Sequence, residues 1–213
     1  MAFSFPKIYP ILDLSFLPAT GRAEYLHRLG SELAAAGITL LEYRNKSAAE
    51  AELLADCAIL RAALPAGKVK LILDDRAELV EQASFDGVHV DMGDLTPADA
   101  RRLLGEDKIV GTFGGNQALL PGILHQPADY FAIGPVFATV TKQTTLPLIG
   151  FEGIRRLREE AGPDARLSAV GGITLERAAQ AIEAGASMVA VAGAIFRQPD
   201  PVAEFRRWLA ELA

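Results

Sequence analysis

RLSAVGGITLERAAQAIEAGASMVAV, residues 166–191, holds a complete folding unit. Arg166 to Val170 is short, apolar and β-prone. Gly171-Gly172-Ile173 interrupts it, and Thr174 opens a helix that runs to Ala184. Ser187 to Val191 is a second apolar strand. Strand, helix and strand joined by short turns make the β–α–β unit of a parallel sheet.

The alternation continues in both directions. Towards the C-terminus, the last helix spans Pro201 to Leu212. Towards the N-terminus, Asp129 to Ile133 is a strand, followed by the loop Gly134-Pro135-Val136-Phe137-Ala138-Thr139-Val140-Thr141-Lys142 and a helix from Phe151 to Ala161. Lys108 to Gly111 is another strand, with a weakly helical segment from Asn116 to Leu124. Gly87 to Val90 precedes Thr96-Pro97, an N-cap with a first-turn proline that opens a helix to Leu104. Val69 to Leu73 precedes a helix expected over Arg76 to Ser84. Ile38 to Arg44 is followed by Ser47, read as the cap of a helix through Leu64. Ile8 to Leu14 is the first strand. Leu26, Leu29 and Leu33 mark the apolar face of a helix from Ala23 to Ala36, which Gly37 ends. Eight such units in 213 residues average about 27 residues each. The prediction is an α/β fold, a single-domain (β/α)8 TIM barrel spanning residues 1–213. A doubly wound open sheet is the alternative, but no G-x-G-x-x-G follows the first strand.

Half the chain is hydrophobic, enough for a sizeable core, and the net charge is −6. That charge argues against nucleic acid or an anionic membrane as the main partner, while leaving room for a small anionic ligand met by local positive charge. No apolar run approaches the roughly 18 residues of a membrane span, and the N-terminus has no secretory pattern. The lone Cys57 cannot form an internal disulfide. A soluble cytoplasmic protein is expected, with a homodimer left open.

In a barrel, chemistry belongs to the loops after the strand C-termini. Strand two ends Glu42-Tyr43-Arg44-Asn45-Lys46, with Glu42, Arg44 and Lys46 on one face; a Glu–Arg pair there is one reading. Strand three ends Asp74-Asp75-Arg76, and strand four ends His89-Val90-Asp91 with Asp94 beyond. Carboxylates on adjacent loops can converge on a hard cation. Asp74 and Asp75 would point to opposite sides if the strand persists. His89 reads as a hydrogen-bonded interior histidine, His27 and His125 as peripheral, and Cys57 as a small apolar helix residue. Gly171-Gly172-Ile173-Thr174 and Ala192-Gly193-Ala194-Ile195 follow strands seven and eight, the recurrent phosphate site of this fold. Arg44, Lys46 and Lys142 add a cationic cluster. Nothing reads as a nucleophile with its base, so stabilising a departing phosphate or pyrophosphate is the inferred chemistry.

From Tyr9 to about Phe205, these motifs resemble the thiamine phosphate synthase family. Glu42-Tyr43-Arg44-Asn45-Lys46 resembles its alternating Gln, Arg and Lys. Asp74-Asp75-Arg76 resembles its Asn-Asp-Arg, and Gly87-Val88-His89 with Asp94 its Gly-Val-His and following Asp. Gly134 to Lys142 matches Gly-Pro-x-Phe-x-Thr-x-Thr-Lys. The resemblance implies a Mg2+-dependent transferase that joins hydroxymethylpyrimidine pyrophosphate to hydroxyethylthiazole phosphate and releases pyrophosphate. It implies Asp75 and Asp94 as Mg2+ ligands, and Arg44, Lys46 and Lys142 as catalytic pyrophosphate binders. Thr139, Thr141, Gly172, Ala192 and Gly193 would hold the thiazole phosphate. Glu42 and Asp74 stand where the family has neutral Gln and Asn, and Phe113 where it has Ser, so these three would shape the aminopyrimidine side. The alternatives those departures raise are a thiazole tautomerase-like enzyme with altered substrate and a non-catalytic thiazole or thiamine phosphate binder.

Overall fold

The computed structural model of the chain describes residues 3–139 and 145–212. Its eight strands are β1 (Ile8–Asp13), β2 (Leu40–Arg44), β3 (Lys70–Asp74), β4 (Gly87–Val90), β5 (Ile109–Gly115), β6 (Tyr130–Ile133), β7 (Leu167–Val170) and β8 (Met188–Val191). Each pairs in parallel with the next, and β8 returns to β1 through Ile8–Val189 and Pro10–Val191, closing the barrel. The open-sheet alternative is thereby excluded. The helices are α1 (Arg22–Ala35), α2 (Glu50–Ala63), α3 (Pro97–Leu104), α4 (Leu120–Ile123), α5 (Gly150–Ala161), α6 (Leu175–Glu183), α7 (Gly193–Phe196) and α8 (Pro201–Glu211).

Strand alternation sorts the apolar residues into two cores. Outward-facing Tyr43, Leu71, Leu73, Val88 and Val110 meet the helices. Inward-facing Tyr9, Leu40, Ile72, Ile109, Tyr130 and Met188 fill the barrel, with Phe3 and Phe5 packed against them. Each fully buried large side chain contributes about 1.5–3 kcal/mol. The interior is too crowded for side chains everywhere. A Cβ at Gly111 would lie 1.9 Å from Cζ of Tyr130, so glycine on β5 is what admits the Tyr130 ring from β6.

Local chemistry explains where the sequence reading holds and where it gives way. In α3 the Thr96 hydroxyl accepts from the Asp99 N–H with Pro97 at the first helical position, as predicted. Ser47 does not cap α2. Instead Asn45 Oδ1 accepts from the Ala48 N–H at 3.2 Å, a turn forms, and the helix begins at Glu50 without a side-chain cap. The helix expected over Arg76–Ser84 is a 3-10 turn at Ala77–Leu79. Asp75 at φ 60° and Ser84 at φ 54° hold left-handed backbones at either end of that segment, leaving no run of helical geometry to propagate. Only Leu120–Ile123 of the 116–124 segment is helical. β5 runs to Gly115 rather than Gly111, which puts Phe113 inside the sheet, at a register shift.

Candidate active site

The C-terminal mouth of the barrel opens into a pocket of about 1340 Å3. Two walls of different character face one another across it.

The first wall comes from β1 to β4. Arg44 Nε binds Asp74 Oδ2 at 2.7 Å, and its Nη1 binds Asp13 Oδ2. The guanidinium therefore bridges β1 and β3, with Asp13 and Asp74 rather than Glu42 as its hydrogen-bond partners, which sets aside the reading of a Glu42–Arg44 pair. Lys46 Nζ lies 2.5 Å from Asp75 Oδ2, 3.7 Å from Asp74 Oδ1 and 3.8 Å from Asp91 Oδ2. β3 stops at Asp74, and the left-handed backbone at Asp75 turns the chain. Both carboxylates consequently reach the same ammonium instead of pointing to opposite sides. Burial pushes the Asp74 carboxyl up to about 7, with Asp75 and Asp91 adding repulsion and Lys46 and Arg44 opposing it. At Asp13 burial pushes upward too, but hydrogen bonding to Ser15 and Arg44 outweighs it and holds that carboxyl below its ordinary value.

Beneath this wall, Glu42 is 3 % exposed. The Tyr9 hydroxyl donates to its Oε2 at 2.5 Å. Burial and the neighbouring Asp74 push Glu42 up to about 8. Tyr9 and Tyr130 hydroxyls lie 2.7 Å apart, and the Tyr130 hydroxyl lies 3.1 Å from His89 Nδ1. His89 is thus a hydrogen-bonded interior histidine, as its sequence context suggested.

The second wall comes from β6 to β8 and is mostly backbone. The Val136 N–H donates to Val170 O and the Phe137 N–H to Gly171 O, both at 2.9 Å, which ties the β6 loop to the β7 loop. Gly172 has φ +64°, and a Cβ there would lie 2.4 Å from Ala138 O, so only glycine fits between the loops. Ala192 and Gly193 line the same side, where α7 begins. Arg177 lies over the Phe137 ring at 4.3 Å and Arg197 over the Phe16 ring at 5.3 Å, and both arginines line the pocket. Neither was foreseen. The available signal was Arg177 in the first turn of α6, where a cation opposes the helix dipole unless an anion lies nearby.

Of the expected site residues, Glu42, Arg44, Asp74, Phe113, Thr139, Gly172, Ala192 and Gly193 line the pocket. Lys46 and Asp75 stand behind Asp74. Asp94 is exposed, and its Oδ2 accepts from the Asp91 N–H at 2.7 Å. Thr141 and Lys142 lie outside the described residues. Among the described residues no three metal-ligating side chains converge. A Mg2+ ion needs only one or two carboxylates when substrate oxygens and water complete its shell. Asp75 fits that role, because its Oδ1 is buried without a hydrogen-bond partner among the described residues. No helix among the described residues is long and apolar enough to cross a membrane.

A charged wall facing a glycine-and-arginine wall at the mouth of a closed barrel marks a (β/α)8 protein built to handle phosphate groups. The chain belongs to the thiamine monophosphate synthase family, whose model matches residues 9–195. It is 40 % identical over 195 residues to a thiamine-phosphate synthase of Koribacter versatilis, covering 91 % of this chain and 90 % of the relative. It is 39 % identical over 164 residues to one from Agrobacterium fabrum, covering 76 % and 74 %. Among solved structures, a thiamine phosphate pyrophosphorylase from Pyrococcus furiosus superposes with a TM-score of 0.81 at 23 % identity, covering 97 % of this chain and 95 % of its own. A 3-hexulose-6-phosphate synthase superposes at 0.72 with 19 % identity, covering 98 % and 100 %. These structural likenesses concern the fold.

Proposed function

We propose that this protein is a thiamine phosphate synthase. It joins hydroxymethylpyrimidine pyrophosphate to hydroxyethylthiazole phosphate and releases pyrophosphate, with Mg2+ as cofactor. The observation that carries this reading is the pairing of the two walls in one pocket: fixed cations on one side, and a glycine-lined, arginine-flanked backbone cradle on the other. Two phosphorylated substrates need those two kinds of site.

The residues supply charge stabilisation. Arg44 is held from two sides by Asp13 and Asp74, so its guanidinium is oriented before any diphosphate arrives. Lys46 adds to the cationic side, and Lys142 is carried as a further pyrophosphate binder on its sequence motif alone. Charge that develops on the leaving diphosphate meets fixed positive charge and needs little reorganisation. Glu42 keeps its proton near neutral pH and so adds little repulsion, acting there like the neutral glutamine of the family pattern. Phe113 offers a ring face for the pyrimidine. Thr139, Thr141, Gly172, Ala192 and Gly193 would hold the thiazole phosphate, with Arg177 and Arg197 balancing its charge. Asp75 and Asp94 are the residues that would hold Mg2+, which when bound neutralises diphosphate oxygens. The partners are small phosphorylated molecules, and the reaction is placed in the cytoplasm.

The test is an assay of the purified protein with both substrates and Mg2+. Thiamine phosphate and pyrophosphate should appear in equal amounts, and chelation should abolish both. Absence of product with thiazole phosphate still binding by calorimetry would replace this reading with a binder. Isomerisation of a thiazole carboxylate phosphate without pyrimidine would replace it with a tautomerase.

A further inference from the structure

We propose that Ser168 is a ligand-binding residue, whose hydroxyl hydrogen-bonds the edge of a flat nitrogen heterocycle lying across Ala132 against Phe113. On β7, Leu167 and Ala169 pack outward against the helices, so strand alternation turns Ser168 and Val170 into the barrel. Ser168 is fully buried and lines the pocket. Its Oγ has no hydrogen-bond partner among the described residues. Deep in the same barrel, Tyr9, Glu42, His89 and Tyr130 are joined to one another by hydrogen bonds at 2.5, 2.7 and 3.1 Å. Ser168 stands outside that set.

A buried hydroxyl without a partner costs free energy that an alanine avoids. Alanines do occupy the adjoining inward positions. Ala132 on β6 pairs with Ser168, and Ala190 on β8 pairs with Val170, one inward position further along β7. Both alanines line the pocket. Packing thus asks only for a small side chain at 168, and the hydroxyl needs a different reason. A polar atom of a bound molecule supplies one.

The strand register limits the shape of that molecule. Phe113 pairs with Ala132, and Ala132 with Ser168, so the three form one row across β5, β6 and β7. Neighbouring strands lie about 4.8 Å apart, which sets the Phe113 and Ser168 backbones roughly 10 Å from each other. All three residues line the pocket, and the short Ala132 leaves the middle of the row low. A flat ring laid there meets the Phe113 side chain at one end and Ser168 at the other. Serine both donates and accepts, so it suits a ring edge that carries a nitrogen or an amino group. Turning Ser168 about χ1 to meet that edge gives up no hydrogen bond to a described residue, and the other staggered wells are ordinary rotamers. An aminopyrimidine has such an edge. That choice of ring rests on the function proposed above, in which Phe113 takes the pyrimidine.

The experiment is calorimetry on the intact protein with Mg2+ present. Hydroxymethylpyrimidine pyrophosphate, inorganic pyrophosphate and hydroxyethylthiazole phosphate are titrated separately into wild type and Ser168→Ala. The variant should bind hydroxymethylpyrimidine pyrophosphate about threefold to tenfold more weakly, the worth of one neutral hydrogen bond. Its affinity for the other two should be unchanged. Its urea midpoint without ligand should equal or exceed that of wild type, because an unpartnered buried hydroxyl has gone. Four results overturn the contact: unchanged affinity for the pyrimidine substrate, an equal loss for inorganic pyrophosphate, a loss confined to the thiazole phosphate, and a variant that unfolds at lower urea or fails to fold. The coupling assay separates this from the functional reading. Wild type that makes no thiamine phosphate, while Ser168→Ala still weakens pyrimidine binding, refutes the functional reading alone. Product formation with unaltered pyrimidine binding in Ser168→Ala refutes the contact alone. Wild type that binds no hydroxymethylpyrimidine pyrophosphate refutes both.

Discussion

The two walls of the pocket solve the same electrostatic problem by opposite means. The β1–β4 wall places side-chain charge at the mouth and must balance it: two cations, Arg44 and Lys46, stand among Asp13, Asp74, Asp75 and Asp91. The β6–β8 wall is mostly backbone, with loops brought close together and its cations, Arg177 and Arg197, laid on aromatic rings. Charge placed by side chains can be tuned by pH and is costly when a partner is lost. A cradle made of backbone is insensitive to pH, and it fails sterically when a side chain is added. The two walls should therefore respond to substitution in different currencies.

The largest effect is expected from Arg44→Ala, which strands Asp13 and Asp74 in a buried setting. Breaking a buried pair costs about 3–5 kcal/mol, and the lower figure applies because the Arg44 side chain is 24 % exposed. Chemical denaturation should show the loss, and it should shrink at acid pH, where the orphaned carboxylates protonate. Glu42→Gln tests the pH arm of the comparison. Glu42 sits at about 8 in the fold against an ordinary 4.5, so between those values the unfolded chain has released a proton that the folded chain keeps. Wild-type stability should fall with rising pH in that window, by up to about 1.4 kcal/mol per unit from this group. The variant should match wild type near pH about 4.5 and exceed it by on the order of 2 kcal/mol near pH about 8 in urea melts. No gain at the higher pH would mean that Glu42 ionises freely.

On the opposite wall, Gly172→Ala forces a left-handed L residue against a carbonyl and should cost roughly 2 kcal/mol at every pH, with turnover reduced. A strong pH dependence of that cost would break the contrast between the walls. Arg177→Ala is the mildest test. It should raise KM for the thiazole phosphate about tenfold, or about 1.4 kcal/mol, with kcat little changed and stability preserved. An effect confined to the pyrimidine substrate would move Arg177 out of the phosphate site.

Much of this was legible in the chain because its signals are local. Strand–helix alternation specifies the barrel, and the boundaries of β4 and α3 follow from short apolar patterning and the Thr96-Pro97 cap. The glycine wall was also readable, since Gly171-Gly172 and Gly193 carry their meaning in their own backbones. The charged wall was legible only as a set of residue types. Its pairings join strands that are distant in sequence: Arg44 reaches back to Asp13 on β1 and across to Asp74 on β3, and the partner of Glu42 is Tyr9, 33 residues earlier. The failed helix after β3 has a similar origin. Its cause is a left-handed turn at Asp75, a residue type that tolerates that conformation but adopts it in only a minority of its positions, so the sequence alone does not announce it.

The space at Gly111 links these observations to how such a pocket can change over generations. A methyl group there would collide with the Tyr130 ring, and Tyr130 is joined through its hydroxyl to both Tyr9 and His89. A mutation at codon 111 on β5 is therefore felt at His89 on the neighbouring β4 and, through Tyr130 on β6, at Tyr9 on β1 across the barrel. Position 111 cannot gain a side chain while Tyr130 keeps its ring in place. A side chain at 111 thus needs a compensating loss of volume at 130, so that pair changes together whenever position 111 changes.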